Sequence, residues 1–123
     1  ASLTDIIQTG TGNTSTVTQS GSLAETTVTQ NSTGAGNSST VTQSGLGAIT
    51  SVTQTNFSGV NPGNTSTVTQ SGAGSDTTVD QNGTNNNSTL TQSGLGAIAN
   101  ISQDGDSKKT SSEWQLHGFT PIL

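Results

Sequence analysis

The sequence lacks cysteine, methionine and tyrosine, and only 2% of its 123 residues are aromatic. Without cysteine, neither a disulfide framework nor a thiolate metal site is available. Only 24% of the residues are hydrophobic, about half of the share found in a globular domain, so a conventional packed core is excluded. No stretch approaches the roughly 18 consecutive apolar residues of a membrane-spanning helix.

Positive charge is also scarce. Two lysines stand against seven acidic residues, which gives a net charge of −5 and makes nucleic acid a poor partner. A catalytic site needs convergent acid, base or nucleophile groups, but the only histidine is His117 and the acids are scattered. We therefore expect no enzymatic activity, no cofactor, no metal site and no insertion into a membrane.

Small polar residues dominate what remains. Ser, Thr, Asn and Gln account for 65 of the 123 residues, and glycine adds 16 more. This composition fits either a disordered low-complexity chain or a repeat protein with a polar interior. Periodicity distinguishes the two, because a disordered chain has no reason to keep a register.

A regular spacing of glutamine favours the repeat protein. Nine glutamines recur, mostly eleven residues apart: Gln8, Gln19, Gln30, Gln43, Gln54, Gln70, Gln81, Gln92 and Gln103. An aliphatic residue stands two positions before each: Ile6, Val17, Val28, Val41, Val52, Val68, Val79, Leu90 and Ile101. Six positions before each glutamine, Ser or Ala alternates with an asparagine (Asn13, Asn37, Asn64 and Asn86), so the true period is about 22 residues.

Each repeat contains two Thr- and Val-rich segments of seven residues bounded by glycine-containing turns, which is typical of strands. We predict strands at 2–8, 13–19, 24–30, 37–43, 48–54, 64–70, 75–81, 86–92 and 97–103. The aliphatic, Gln and Asn positions then share the inner side of each strand. Stacking at about 4.8 Å would place Gln over Gln and Asn over Asn, so that each buried amide donates to the next. The predicted fold is therefore all-β: a β-solenoid of strand–turn–strand units, about four and a half coils long, that stacks into a cross-β fibre.

The chain divides into a repeat region and a tail. The repeat region is 1–105, with coils at 2–23, 24–47, 48–74 and 75–96 and a half coil at 97–105. The tail, 106–123, breaks the pattern. If it were mapped onto a fifth even-numbered strand it would turn Lys or Glu inward, so we expect it to stay outside the coil. Two roles remain open for it: a cap, or a clamp that packs Trp114, Leu116, Phe119 and Ile122 on the next subunit.

The run Q-x-G-x-G-N-x-S-x3-Q at 8–19, preceded by Ser2, resembles the curlin repeat of bacterial curli fibre subunits. The resemblance covers residues 2–105. It implies a secreted, extracellular amyloid-type β-solenoid that polymerises into fibres for biofilm matrix and adhesion. It also implies self-association as the main partnership, with a nucleator subunit and an outer-membrane secretion machinery as further partners.

Polymerisation through the outer coils predicts a set of subunit contacts. These residues are Ser2, Ile6 and Gln8 at one end, Ala97, Ile101 and Gln103 at the other, and Trp114, Leu116, Phe119 and Ile122 of the tail.

A second hypothesis comes from the outward side of the even-numbered strands, which is nearly all threonine. A regular Thr-x-Thr-x-Thr array resembles the surface of ice-binding solenoids, although threonine is also simply a good exposed strand former. An ice-binding β-solenoid therefore remains the alternative function.

Overall fold

The computed structural model describes residues 1–59 and 62–114, which contain ten strands. In chain order they are β1 Leu3–Gly10, β2 Thr14–Gln19, β3 Glu25–Ser32, β4 Ser38–Gln43, β5 Ile49–Asn56, β6 Thr65–Gln70, β7 Asp76–Asn82, β8 Asn87–Gln92, β9 Ile98–Asp104 and β10 Lys109–Trp114. In this part of the chain no helix is long and apolar enough to cross a membrane.

The strands form two parallel sheets. We call β1-β3-β5-β7-β9 the odd sheet and β10-β8-β6-β4-β2 the even sheet. Strands that are neighbours in a sheet are one full turn apart in the chain, so each consecutive pair (β1 with β2, and so on) makes one coil, numbered 1 to 5. The predicted all-β solenoid is confirmed.

The register of the odd sheet gives the length of each coil. Leu3 pairs with Glu25, Glu25 with Ile49, Ile49 with Asp76, and Asp76 with Ile98, which are steps of 22, 24, 27 and 22 residues. The mean is about 24 residues rather than the predicted 22. The two longer steps come from the longer connections that follow β3 and β5, on the edge where the sequence varies in length.

The fifth coil is complete, which corrects the expected half coil and the expectation that residues after 105 stay outside it. Strand β10 pairs with β8 in parallel register, with Lys109 beside Asn87 and Trp114 beside Gln92. This register puts Thr110 in the column of inward serines, which consists of Ser15, Ser39, Ser66 and Ser88, and leaves Lys109 on the outer side. The inward Lys or Glu that the sequence predicted for an even-numbered strand here therefore does not occur in β10.

A thin aliphatic column runs along the axis between the sheets. Its fully buried members are Val28, Val41, Val52, Val68, Val79 and Leu90, followed by Ile101 at 4% exposure. The column is less covered in coil 1, where Val17 is partly buried and Ile6 remains 42% exposed. The column is therefore most exposed in coil 1, over which the described residues place no further coil.

Glycines in the turns from even to odd strands keep the coils in contact. A Cβ on Gly45 would lie 1.9 Å from the backbone oxygen of Gly72, so no side chain fits there. Gly47 has open space but a φ of +66°, and Leu23 takes the equivalent left-handed conformation at φ 59°. These turns thus need glycine for two different reasons, close approach and backbone conformation.

Candidate assembly site: the stacked polar ladders

The inner side of the odd sheet carries a continuous row of glutamine amides. Each Nε2 donates to the Oε1 of the glutamine one coil further on: Gln8 to Gln30 at 2.7 Å, Gln30 to Gln54 at 2.8 Å, Gln54 to Gln81 at 2.8 Å and Gln81 to Gln103 at 2.7 Å. All four bonds point from the N-terminal coil towards the C-terminal coil. Because the interior amides are cut off from water, the ladder supplies the partners that burial would otherwise remove.

The same amides also tie the odd sheet to the even sheet. From Gln30 onwards, each donates to a backbone oxygen of the even strand one coil earlier. The bonds run from Gln30 to Thr14, Gln54 to Ser38, Gln81 to Thr65 and Gln103 to Asn87, at 2.9–3.0 Å. One side chain therefore satisfies two neighbours, one along the axis and one across it.

The even sheet has its own glutamine ladder, reinforced by threonine. Gln19 donates to Gln43, Gln43 to Gln70, and Gln70 to Gln92, each at 2.9 Å. The inward threonine of the next odd strand joins each step: Thr26 Oγ1 accepts from Gln19 at 3.0 Å and donates to Gln43 Oε1 at 2.6 Å. Thr50 and Thr77 repeat this bridge in the next two coils. The even ladder is thus a two-residue network.

The even ladder stops at Gln92. This side chain is fully buried and its Oε1 accepts bonds from Gln70 and Thr77, but its Nε2 has no hydrogen-bond partner among the described residues. Two departures from the repeat explain the missing acceptor. Ala99 stands where the bridging threonine would be, and Trp114 stands at the register position of the next glutamine. Coil 5 therefore interrupts one ladder while the other passes through it.

The asparagines act differently from the expected amide-to-amide ladder. Their Oδ1 accepts from the backbone N–H of the residue one coil on: Asn13 from Asn37, Asn37 from Asn64, Asn64 from Asn86 and Asn86 from Lys108, at 2.9–3.0 Å. Their Nδ2 donates to carbonyl oxygens at the ends of the odd strands and in the turns that follow them, as Asn64 does to Thr55 in β5 and to Gly83 in the turn after β7, each at 3.0 Å. They brace the turns and link successive coils through the backbone.

The inward serines are only partly satisfied. Ser88 Oγ donates to Ser66 Oγ at 3.3 Å, whereas Ser15 Oγ and Ser39 Oγ are buried and have no hydrogen-bond partner in the part of the chain that the structure describes. An unpartnered buried hydroxyl costs free energy. These positions therefore contribute packing volume rather than a polar ladder.

The predicted contact residues lie at both ends of the solenoid. Ser2 Oγ donates to the Gly21 oxygen at 2.8 Å, and Ile6 and Gln8 are exposed in coil 1. In coil 5, Ile101 and Gln103 are buried on the inner side of β9, the outermost strand of the odd sheet, and Ala97 is buried just before that strand begins. The backbone of Trp114 ends β10, while Leu116, Phe119 and Ile122 lie outside the described residues.

The outer sides differ between the sheets. On the even sheet, threonines stand in register, with Thr16, Thr40, Thr67 and Thr89 in one column and Thr18, Thr42, Thr69 and Thr91 in the next. On the odd sheet, one column alternates apolar and acidic residues: Leu3, Glu25, Ile49, Asp76 and Ile98. Within the described ranges, no group of three or more His, Cys, Asp or Glu side chains is placed to hold a metal ion.

The repeat pattern decides the family. The sequence profile of the curlin-associated repeat matches residues 1–31 and 72–105, more than half of the chain. The chain belongs to the curlin-associated repeat family. The stretch between the two matches contains both long connections, yet β4, β5 and β6 keep the curlin register there. No curated protein matches the chain.

The bridging threonines Thr26, Thr50 and Thr77 belong to the site although sequence reasoning did not include them among its functional residues. Their side chains are buried, and their role in the even ladder depends on the distance between the sheets, which the sequence does not give. The signal was their position four residues before each odd-strand glutamine, and Ala99 breaks it in coil 5.

Proposed function

We propose that this curlin-repeat chain is the structural subunit of an extracellular curli-like fibre that self-assembles for biofilm matrix and adhesion. The observation that carries the proposal is the odd-sheet ladder. Its amides run through all five coils and reach the outermost strands β1 and β9, each of which has one described neighbour only. Edge strands with unpaired backbone groups are templates for another chain.

Electron microscopy and fibre diffraction of the purified 123-residue protein incubated alone test this proposal. We expect unbranched filaments with a 4.7–4.8 Å meridional reflection. Five strand layers per subunit give an axial repeat of about 24 Å. A protein that stays monomeric at all concentrations would overturn the proposal.

The proposed cellular setting is the outside of the cell, with a nucleator subunit and an outer-membrane secretion machinery as partners. It is supported by the family assignment. Antibody labelling of intact, non-permeabilised producing cells should decorate surface fibres. Label found only after permeabilisation would contradict this location.

The residues that follow β10 are proposed as a clamp on the next subunit. Since β10 is part of coil 5, the clamp is confined to 115–123. Apolar spots for it exist on the odd sheet, where Leu3 is 60% exposed, Ile49 44% and Ile98 38%. Deletion of 115–123 should leave the folded monomer intact and lower the denaturant concentration at which fibres dissociate. Unchanged fibre stability would leave these residues the role of a cap.

Ice binding is a second candidate function, favoured by the threonine columns of the even sheet. Their in-register stacking gives a regular array of hydroxyl and methyl groups spaced by about 4.8 Å along the axis. Soluble monomer should then show thermal hysteresis, and Thr67→Lys in the middle of the array should abolish it. Absence of hysteresis in the unmodified protein would remove this candidate.

A further inference from the structure

One dipeptide of the chain combines a reactive sequence with a tightly held backbone. Asn82 ends β7, and it is the only one of the 11 asparagines that is followed by a glycine. Asparagine before glycine is prone to deamidation, because glycine has no side chain to shield its backbone nitrogen from the neighbouring side-chain amide. This chemistry takes place within a single chain and is independent of the proposed fibre.

The reaction needs only the chain and water. The Gly83 nitrogen attacks Cγ of Asn82 and closes a succinimide ring, and the Cγ–Nδ2 bond breaks as ammonia leaves with the proton of the Gly83 N–H. Water then opens the ring at one of its two carbonyl carbons. Attack at Cγ gives aspartate. Attack at the backbone carbonyl carbon gives isoaspartate, in which the main chain runs through the side chain and is one methylene longer.

In the folded chain, the peptide group between Asn82 and Gly83 is held from both sides. The Gly83 N–H donates to the oxygen of Thr55 in coil 3 at 3.0 Å. The Asn82 oxygen accepts from the N–H of Gly105 in coil 5 at 2.9 Å, and from Asn86 Nδ2 at 3.2 Å. Ring closure requires this peptide group to turn its nitrogen towards the Asn82 side chain, which breaks these hydrogen bonds. The stacked coils therefore suppress the reaction, although Asn82 itself is exposed.

Both products fit the stack less well than asparagine does. Asn82 is the register partner of Asp104, and its Nδ2 donates to Asp104 Oδ1 at 3.2 Å. Conversion to aspartate removes this donor and sets two carboxylates opposite each other, about 4.8 Å apart. Conversion to isoaspartate lengthens the main chain at the end of β7. The backbone groups that follow then lose their register with coils 3 and 5.

We propose that Asn82–Gly83 is a self-modification site, which reacts while the chain is unfolded and is protected once coils 3 to 5 are stacked. A chain that folds promptly keeps its asparagine, because the neighbouring coils hold the peptide group. A chain that stays unfolded converts Asn82 to aspartate or isoaspartate and then forms a less stable solenoid. The dipeptide thus records how long a chain has remained unfolded.

Mass spectrometry measures the reaction in the 123-residue protein, kept either folded or unfolded in guanidinium chloride at the same mildly alkaline pH and temperature. We expect conversion of Asn82 to be at least about tenfold slower in the folded protein. A synthetic peptide of residues 79–86, with and without the denaturant, corrects for the effect of the solvent. Fragment spectra locate the modified residue.

The control variant for the rate is Asn82→Thr. Threonine stands at the equivalent position in coils 1 and 3, as Thr9 and Thr55, so the variant should fold, and it has no amide to lose. We expect the fast conversion in denaturant to disappear. Fast conversion that persists in this variant would assign the reaction to another asparagine and overturn the proposal. Equal rates in the folded and unfolded protein would overturn the protection by the stack.

The effect of the product on stability is measured by thermal unfolding of a double-mutant cycle. Beside Asp104, the variant N82D should lower the unfolding midpoint by about 2–5 °C. In the D104N background the same change should cost much less, because no like charge is opposed. The isoaspartate form, separated by chromatography from the aged denatured sample, should unfold at a lower temperature than N82D. Aspartate and isoaspartate forms that are as stable as the unmodified protein would overturn the claim that the modification weakens the solenoid.

Discussion

Gln70 and Gln92 stand one coil apart in the even sheet, and neither has exposed surface. The Nε2 of Gln70 has three acceptors: Thr77 Oγ1 at 2.7 Å, Gln92 Oε1 at 2.9 Å and the Ile49 oxygen at 3.2 Å. The Nε2 of Gln92 has no acceptor within residues 1–59 and 62–114. In a solenoid with a polar interior, the residue in the next coil decides whether a buried amide stabilises the fold or strains it.

The largest effect should come from breaking the stack on which this comparison depends. Gly45→Ala would drive a methyl group against the Gly72 oxygen, 1.9 Å away, and separate coils that must stay in contact. We expect a loss of more than about 4 kcal/mol in the free energy of unfolding, or no folding at all. Gly47→Ala is the control: it meets only backbone strain at φ +66°, which costs about 1 kcal/mol. Chemical denaturation measures both, and equal losses would refute close approach as the cause.

The comparison itself is tested by removing each amide in turn with a near-isosteric side chain. Gln70→Met deprives Gln43, Thr50 and Thr77 of partners and should cost about 3 kcal/mol. Gln92→Met also removes an unpartnered N–H, so it should cost about 1 kcal/mol or less. Urea unfolding of both variants provides the measurement. A larger loss for Gln92→Met would mean that the next coil does not set the contribution of the amide.

A gain is expected where the missing bridge is restored. Ala99→Thr puts a hydroxyl at the position from which Thr77 accepts the Gln70 amide, so Gln92 should acquire an acceptor. Ala99→Val has the same shape without the hydroxyl and is the matched control. We expect the threonine variant to be about 1 kcal/mol more stable than the valine variant in thermal unfolding. If the valine variant is as stable as the threonine variant, the unpartnered amide of Gln92 has no measurable cost in stability.

The smallest effect concerns the serine column. Ser39→Ala removes a buried hydroxyl that has no partner and should raise the free energy of unfolding by about 0.5–1 kcal/mol. Ser66→Ala removes a hydroxyl that accepts from Ser88, so it should bring no gain. Differential scanning calorimetry of the two variants separates these expectations, and a loss of stability in Ser39→Ala would contradict the first.

Much of the fold was predictable because the repeat fixes the register. The eleven-residue spacing of glutamine and the aliphatic residue two positions earlier predicted nine of the ten strands. The strands extend beyond the predicted ends only in the odd sheet, where β3 continues to Ser32 and β5 to Asn56. Because each inward side chain must lie over its equivalent one coil away, the position of one strand fixes the register of the next strand in the sheet.

Strand β10 was not predicted because the prediction rested on the residue types of the repeat. The eleven-residue step continues from Gln103 to Trp114, but none of the inward positions of β10 carries the expected residue. Backbone pairing with β8 does not depend on those side chains. The eleven-residue spacing alone predicts this strand, whereas the residue types at its inward positions do not.

The partners of the asparagines were not predictable from stacking alone. An asparagine side chain is one methylene shorter than a glutamine side chain. Its oxygen therefore meets the backbone N–H of the next coil, as Asn37 Oδ1 meets the N–H of Asn64 at 3.0 Å, rather than the next amide. Stacking predicts which residues are neighbours, and side-chain length decides which atoms bond.

The uneven lengths of the turns have a practical consequence. Connections from even to odd strands keep one length, whereas those from odd to even strands tolerate extra residues, as after β5, although glycines also stack there, as Gly36 does against Gly12. A Cβ on Gly59 would meet no atom of the described residues within 4 Å. A foreign peptide or dye-labelled cysteine introduced at Gly59 would leave the ladders untouched and, in a stacked assembly, would recur once per subunit, about every 24 Å. This connection is thus a natural attachment point for a one-dimensional display scaffold.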